Sequence, residues 1–260
     1  MNELTTLEKP LSAREFTLAT DLDGTFLGGS DAARGQLYDW IEANRDSVGL
    51  IFVTGRDPDF IAGMCVERDL PWPDYVVGDV GTTIAEVHRP EITPINVLEH
   101  DISHRWQDAG ERVRAALDGQ PGLTLQPTDF RYRVSYDLDP AQFDDSAKAK
   151  VEALDLDWLI SDNRYFDVLP KGVSKGPSIR RLVEHLEMDL SRVLVAGDTL
   201  NDLSMLACGL PAVAVGNSEP DLLRQVRDLD HLYLAEAHGA GGIIEAIAAL
   251  GLHPNHPKGA

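Results

Sequence analysis

An apolar run, Phe16 to Ala19, ends directly in the pentapeptide DLDGT at positions 21–25, and this junction constrains the fold more than any other part of the chain. A short, unbroken apolar run reads as a buried strand, and Gly24 with Thr25 reads as the tight turn that ends it. Two carboxylates, Asp21 and Asp23, then emerge at the carboxyl end of the strand, where open α/β sheets bind their ligands. Strand side chains alternate, so residues two apart start on the same side. Both acids are therefore expected to converge on one metal ion or one phosphoryl group.

The same pattern recurs downstream. VTGR at 53–56 follows the buried run GLIFV at 49–53, and GDTLND at 197–202 follows RVLVA at 192–196. Between them SKG at 174–176 opens a helix whose Ile179, Leu182, Val183 and Leu186 form one apolar face, with Pro177 in its first turn. Further helices are expected over 36–42, 59–69, 203–207 and from the glycine-rich start of AGGIIEAIAAL, and further strands at 75–77, 212–215 and 232–234. This alternation predicts an α/β fold, a Rossmann-like, doubly wound, mainly parallel sheet.

From about Glu86 to Tyr165 the character changes. A helical stretch around Ile102–Leu117, a strand FRYRVSYDL at 130–138 and a helix through Ala141–Leu154 suggest an inserted α+β domain over 86–165, with 1–85 and 166–260 forming the core and Phe166–Leu169 resuming its rhythm. Alternation in FRYRVSYDL places Phe130, Tyr132, Val134, Tyr136 and Leu138 on one face, as core of the insert. Arg131, Arg133, Ser135 and Asp137 fall on the other, where Arg133 and Ser135 can meet sugar hydroxyls, with Asp79 and Thr82 at the junction as further contacts.

With 260 residues and 43% hydrophobic content, the chain can bury a large core. Its formal charge of -20 repels nucleic acid and anionic membrane surfaces, so any phosphate site must be locally positive. Two cysteines without disulfide-like spacing, a beginning without an apolar leader pattern, and no run of about 20 apolar residues predict a soluble, cytoplasmic protein, a monomer or small homo-oligomer. The eight histidines form no zinc-like cluster with the cysteines.

Phosphate monoester hydrolysis needs an in-line nucleophile, a proton donor for the leaving oxygen, and positive charge around the transferring group. Asp21 is assigned the attack, and Asp23 the proton transfers to the leaving alcohol and from water. Thr54, beside Gly55, can hydrogen-bond a phosphoryl oxygen, and Lys175 brings a positive charge to a helix start, which itself favours anions. Magnesium suits a cluster of carboxylates and water. Asp198 is the first additional ligand, and Asp202, four residues later, returns to the same side of a helix starting in the loop, to bind directly or through water.

DLDGT, the Thr of VTGR, the Lys of SKG and GDTLND together resemble the four signature loops of the haloacid dehalogenase-like phosphatases, in the branch whose α+β cap lies between the second and third loops. Within that branch VGDVGTTI at 77–84, RVSY at 133–136 and GDTLNDLSML at 197–206 are similar to the sucrose-phosphate phosphatase family and related glycosyl-phosphate phosphatases. GDTLND stands where the sucrose-specific pattern has GDSGND, a form closer to phosphatases of glucosylglycerol phosphate or of glucosyl- and mannosylglycerate phosphates. The resemblance implies Asp21 as nucleophile, Asp23 as acid and base, Thr54 and Lys175 on phosphate, and Asn201 near it. It also implies Mg2+ held by Asp21, the Asp23 backbone carbonyl and Asp198. The expected activity is magnesium-dependent hydrolysis of a small phosphorylated sugar or glycoside. A sugar phosphomutase is the enzymatic alternative, and a non-catalytic sugar-phosphate sensor the alternative of another class.

Overall fold

The computed structural model describes residues 9–257; the first eight residues, part of the stretch read for a leader, lie outside the described residues. Strand β1 (Phe16–Thr20) is buried along its whole length and leads through the turn at 22–26 to helix α1 (Asp31–Ala43), capped by the Ser30 hydroxyl. Strand β2 (Val48–Val53) is likewise buried throughout, and Asp57 caps helix α2 (Pro58–Glu67). Strand β3 (Tyr75–Gly78) turns back antiparallel into β4 (Thr83–His88) and β5 (Glu91–Pro94).

Helices α3 (Asn96–Trp106) and α4 (Gly110–Ala116) carry the chain to β6 (Leu123–Leu125) and β7 (Val134–Leu138). Helix α5 (Ser146–Glu152) and the hairpin β8 (Leu156–Ser161) and β9 (Tyr165–Pro170) follow. The return consists of α6 (Lys175–His185), β10 (Val193–Gly197), α7 (Leu203–Leu206), β11 (Ala212–Ala214), α8 (Pro220–Val226), β12 (Leu232–Leu234) and α9 (Ala240–Ala249).

Two sheets result. The large one has the order β12-β11-β10-β1-β2-β3-β4-β5, parallel from β12 to β3, and the small one the order β6-β7-β9-β8, antiparallel throughout. The large sheet is the expected doubly wound, mainly parallel α/β architecture. Strand order reverses on either side of β1, and a crevice opens there at the carboxyl ends. Both faces are packed, as the unbroken apolar runs require. Phe16, Leu18, Leu50 and Phe52 join Leu37, Ile41, Ile243 and Ile247 on one face, whereas Ala19, Ile51 and Val53 join Ile179, Leu182 and Val183 on the other. A third cluster, including Trp106, Val134, Tyr136, Phe166 and Val168, lies on the small sheet.

The small sheet departs from sequence expectation in several places. The span 86–165 does not coincide with it, because β4 and β5 extend the large sheet to Pro94, and Tyr165–Pro170 pairs with both β7 and β8. Phe166, Val168 and Leu169 are buried apolar residues that suit a strand of either sheet, so local pattern cannot choose between them. The chain passes between the sheets twice, after Pro94 into α3 and after Pro170 into α6. The helix expected over 102–117 is broken by left-handed Gln107 and Asp108, and that expected over 141–154 is confined to Ser146–Glu152. The strand begins only at Val134, which leaves residues 130–133 irregular and frees Phe130 from the insert's core. Among the described residues no helix is long and apolar enough to cross a membrane.

Candidate active site

The loops singled out by sequence meet in the crevice at the end of β1. Asp21 follows β1, Thr54 follows β2, Asp198 follows β10, and Lys175 opens α6. The turn after Asp21 is held by the Phe26 N–H donating to the Asp21 carbonyl at 3.1 Å. Gly24 in this turn has φ 83°, and a Cβ built on it would lie 2.2 Å from Asp198 Oδ2, so only glycine lets the first and last loops touch. The Thr25 hydroxyl donates to Asp198 Oδ1 at 2.6 Å.

Lys175 is the centre of the arrangement. Its side chain is fully buried, and its ammonium donates to Asp21 Oδ1 at 2.7 Å, Asp202 Oδ1 at 2.7 Å and Asn201 Oδ1 at 2.8 Å. All three ammonium protons are thereby used. Asp202 Oδ2 accepts from the backbone N–H groups of Asp198 at 3.0 Å and Thr199 at 3.1 Å. Thr199 is the N-cap of the short turn Leu200–Asp202, and the Asp202 carboxylate completes a capping box with it. The Asn201 oxygen also accepts from the Thr199 hydroxyl at 3.0 Å, which leaves its NH2 as the amide's remaining hydrogen-bonding group.

Carboxylate oxygens of Asp21, Asp198 and Asp202 lie within 4.8 Å of one another, and all three residues are buried. One ammonium does not balance three carboxylates. Burial, helped by the neighbouring carboxylates and opposed by Lys175, raises the Asp21 pKa well above the usual carboxylate range. Burial likewise pushes Asp198 up to about 7, against the Thr25 hydrogen bond. Burial alone would lower the Lys175 pKa, but Asp202 and Asp21 outweigh it and the net shift is upward. The cluster therefore lacks positive charge, and a divalent cation fits it.

A pH dependence follows. A carboxyl whose pKa is raised in the folded state holds a proton that the unfolded chain has lost, so between about pH 4 and 7 the metal-free protein loses stability as pH rises. Metal must displace that proton. Cation affinity is expected to rise with pH through about 7, where Asp198 loses its proton, by about tenfold per pH unit for each proton displaced. Calorimetric titration in buffers of different ionisation enthalpy measures the released protons; a pH-independent affinity would contradict the assignment.

Asp23 does not join the cluster. Its side chain is 60% exposed and pairs with Arg56 Nε at 3.0 Å, while the Arg56 guanidinium lies 4.5 Å from the centre of the Phe60 ring. Alternation fails here because strand geometry ends at Thr20, and Asp23 belongs to the turn. Asp21 and Asp23 nevertheless line one cavity of about 590 Å3, together with Thr54, Gly55, Arg56 and Asn201. Its opposite wall comes from the small sheet and its loops, with Gln126, Phe130, Arg133, Arg164, Tyr165 and Asp167.

Of the sugar contacts expected from sequence, Arg133 lines this cavity, whereas Asp79, Thr82 and Ser135 are buried and lie outside its lining. Their polar groups are occupied: Thr82 donates to the Asp79 carbonyl, Ser135 to Asp167, and Thr83 to the Asp79 carboxylate. A strand pattern gives a face but not what covers it. Sequence reading missed Asn217, whose amide donates to the Gly24 carbonyl at 3.0 Å and to Asp198 Oδ2 at 3.2 Å. It follows strand AVA at 212–214, so its place at a carboxyl end was the available signal. Residues 161–165 were missed because nothing local marks the β8–β9 turn as facing the crevice.

Comparison with known proteins agrees with this geometry. The sequence profile described as Sucrose-6F-phosphate phosphohydrolase matches residues 14–251. The chain is 40% identical over 235 residues to a glucosylglycerol-phosphate synthase of Pseudomonas anguilliseptica, matching 90% of this chain but only 30% of that longer protein. It is 30% identical to a mannosylfructose-phosphate phosphatase of Agrobacterium fabrum, over 91% of this chain and 97% of the relative. A crystal structure of the sucrose-phosphatase of Synechocystis sp. PCC6803, in complex with sucrose and phosphate, superposes with a TM-score of 0.82 at 28% identity, covering 92% of this chain and 98% of the other. The chain belongs to the sucrose-6F-phosphate phosphohydrolase family, phosphoric monoester hydrolases of the haloacid dehalogenase-like superfamily.

Proposed function

We propose that the chain hydrolyses the phosphate monoester of a small, otherwise uncharged glycoside, with Mg2+ as its cation. One observation carries this reading: a single cavity joins the Asp21 side of the carboxylate and ammonium centre to a polar and aromatic wall from the small sheet. Five carboxylates in its lining (Asp21, Asp23, Asp57, Asp162 and Asp167) face three guanidiniums (Arg56, Arg133 and Arg164). Arg56 and Arg133 are already paired with acids. Burial pushes Asp21 and Asp167 towards their protonated forms, so the preference rests on the cations: Arg164 is the one lining guanidinium without an ion pair among the described residues, and it shares the cavity with Asp57 and Asp162, which favours neutral glycosides over glycosylglycerates.

Asp21 attacks phosphorus, forming a carboxyl oxygen–phosphorus bond as the bond to the sugar oxygen breaks. Asp23, at the cavity mouth, gives that oxygen its proton, then takes one from the water that cleaves the aspartyl phosphate. Thr54 donates its hydroxyl, and Asn201 its NH2, to the phosphoryl oxygens. Lys175 holds Asp21 by one oxygen, and the other, Oδ2, makes no hydrogen bond among the described residues and is the attacking atom. When bound, Mg2+ neutralises charge on nucleophile and phosphate. Asp21, Asp198 and the Asp23 carbonyl would hold it, and Asp202, with both oxygens engaged by the protein, orients Lys175 and Asp198 and would act on the ion only indirectly. We place this activity in the cytoplasm, where Cys65 and Cys208 stay as free thiols, in a monomer or small homo-oligomer without nucleic-acid or membrane partners.

Phosphate release is to be measured with Mg2+, and with excess chelator, from sucrose 6-phosphate, glucosylglycerol 3-phosphate, mannosylfructose phosphate, mannosyl-3-phosphoglycerate and glucose 6-phosphate. The expected result is metal-dependent turnover of one neutral glycosyl phosphate at least about tenfold above the glycerate, since each 1.4 kcal/mol of repulsion is tenfold. Preference for the glycerate would reverse the charge argument, and turnover untouched by chelator would remove the metal.

A further inference from the structure

The short connection between β3 and β4 is the most strained backbone near the site. Asp79 has φ 52°, Val80 φ 59° and Gly81 φ 100°, three consecutive left-handed residues. A tight hairpin requires such positions, and glycine or asparagine normally fills them. Val80 is β-branched, for which this conformation is an outlier. Strain of this kind persists only where the surroundings fix it.

The surroundings here are the parts of the active centre. The Val80 N–H donates to the Thr54 carbonyl at 3.1 Å and the Asp79 N–H to the Arg56 carbonyl at 3.0 Å, so the turn is tied to the phosphate loop. The Gly81 carbonyl accepts from the Ser178 hydroxyl at 2.7 Å, one helical turn beyond Lys175. A Cβ on Gly81 would meet the Lys175 backbone N at 2.8 Å. From the small sheet, the Arg133 guanidinium reaches Asp79 Oδ1 at 3.4 Å, the Gly55 carbonyl at 3.3 Å and Asp167 at 3.5 Å. Arg131 reaches Thr83 Oγ1 at 3.2 Å, and that hydroxyl donates to Asp79 Oδ2 at 2.7 Å. Arg133 is 7% exposed, stacks 3.6 Å from the centre of the Phe130 ring, and has a buried Nε without a partner.

We propose that the Asp79–Gly81 turn is a positioning element: Arg133, seated on Asp79 and Gly55, is clamped in that place when the glycosyl part packs against its guanidinium, and the clamp sets Thr54 and Lys175 for phosphoryl transfer. Asp79 and Arg133 are positioning residues in this scheme. Binding of the glycosyl end is then expressed as turnover rather than as affinity alone, the form in which remote contacts accelerate chemistry. The inference rests on the glycosyl phosphatase reading above.

The test compares kcat and KM for sucrose 6-phosphate and glucosylglycerol 3-phosphate with those for acetyl phosphate, a donor without a glycosyl part, in Arg133→Met, Arg133→Lys, Asp79→Asn and the Arg133→Met/Asp79→Asn double variant. For the better glycosyl phosphate, Arg133→Met and Asp79→Asn are each expected to lower kcat about tenfold with KM changed less than about threefold. Acetyl phosphate turnover falls less than about threefold, the double variant is no worse than the worse single one, and Arg133→Lys recovers part of the loss. A raised KM at intact kcat, equal losses on both kinds of donor, or multiplicative losses in the double variant would each overturn the link. The phosphatase reading survives those results. Wild-type protein that cleaves acetyl phosphate but neither glycosyl phosphate overturns the link and the substrate class together, and wild-type protein that cleaves none of the three overturns the phosphatase reading itself. If Asp79→Asn fails to fold, the two Arg133 variants decide.

Discussion

Asp21→Asn is expected to lower turnover by at least about 10^4-fold while raising the melting temperature of the metal-free protein. The first effect follows from the proposed mechanism, which loses its attacking carboxylate oxygen, because an amide neither forms the acyl phosphate nor is regenerated from it. The second follows from charge. Asp21, Asp198 and Asp202 crowd three buried carboxyls around the single Lys175 ammonium, and burial already holds Asp21 and Asp198 towards their protonated forms. An amide keeps an oxygen for Lys175 and removes one charge from the cluster. Relief of about 1 kcal/mol corresponds to about 2–4 °C in a domain of this size. Asp23→Asn differs: the nucleophile is intact, so phosphoenzyme still forms from an activated donor and accumulates while hydrolysis slows. Turnover of Asp21→Asn within about 100-fold of wild type, or a lower melting temperature than wild type in chelator, would contradict the assignment.

Lys175→Met is expected to be the most damaging single change to the fold of the active centre, costing about 3–5 kcal/mol. The side chain is fully buried with three acceptors at 2.7–2.8 Å, so removing the charge leaves Asp21 and Asp202 facing each other without a counterion. The folded variant then binds more protons than its unfolded chain. Its stability rises as pH falls, and the deficit relative to wild type narrows towards pH 4. Arginine is not a substitute here, since its planar guanidinium cannot place three donors in the space an ammonium fills. Turnover falls together with stability, by about 10^2–10^3-fold from the electrostatic loss alone. Urea midpoints at pH 7 and pH 5, in chelator, measure the first effect. A loss below about 1 kcal/mol would show that Lys175 is not the counterion of this cluster.

The parts of the molecule that were legible in its sequence share a physical property: their neighbours in space are specified by their own secondary structure. Asp21, Thr54 and Asp198 each end an apolar run, and the carboxyl ends of neighbouring parallel strands come together whatever the rest of the chain does. Lys175 opens a helix behind the same crevice. Where the sequence was opaque, the deciding contact was made by a distant segment. Asp79 and Thr82 looked like substrate contacts and are instead enclosed by their own turn and by Arg133 and Thr83. Phe166, Val168 and Leu169 suited either sheet, and only pairing with Val134–Asp137 and Leu156–Ser161 settles the place of their strand. Asp23 obeyed turn geometry once the strand had ended, which moved it from the metal cluster to the mouth of the cavity.

The chain's two passages between the sheets, after Pro94 and after Pro170, have an evolutionary consequence. In the proposed mechanism every residue that handles the phosphoryl group lies outside that interval, whereas Gln126, Phe130, Arg133, Arg164, Tyr165 and Asp167 of the facing wall lie within it. On that reading, mutations at Gln126, Phe130 or the 161–165 turn can drift without altering the chemistry, and lineages can acquire new glycosides by changing one contiguous stretch of gene. The Arg133 contact with Asp79 is the seam across which such drift is constrained, because a residue there answers to both halves at once.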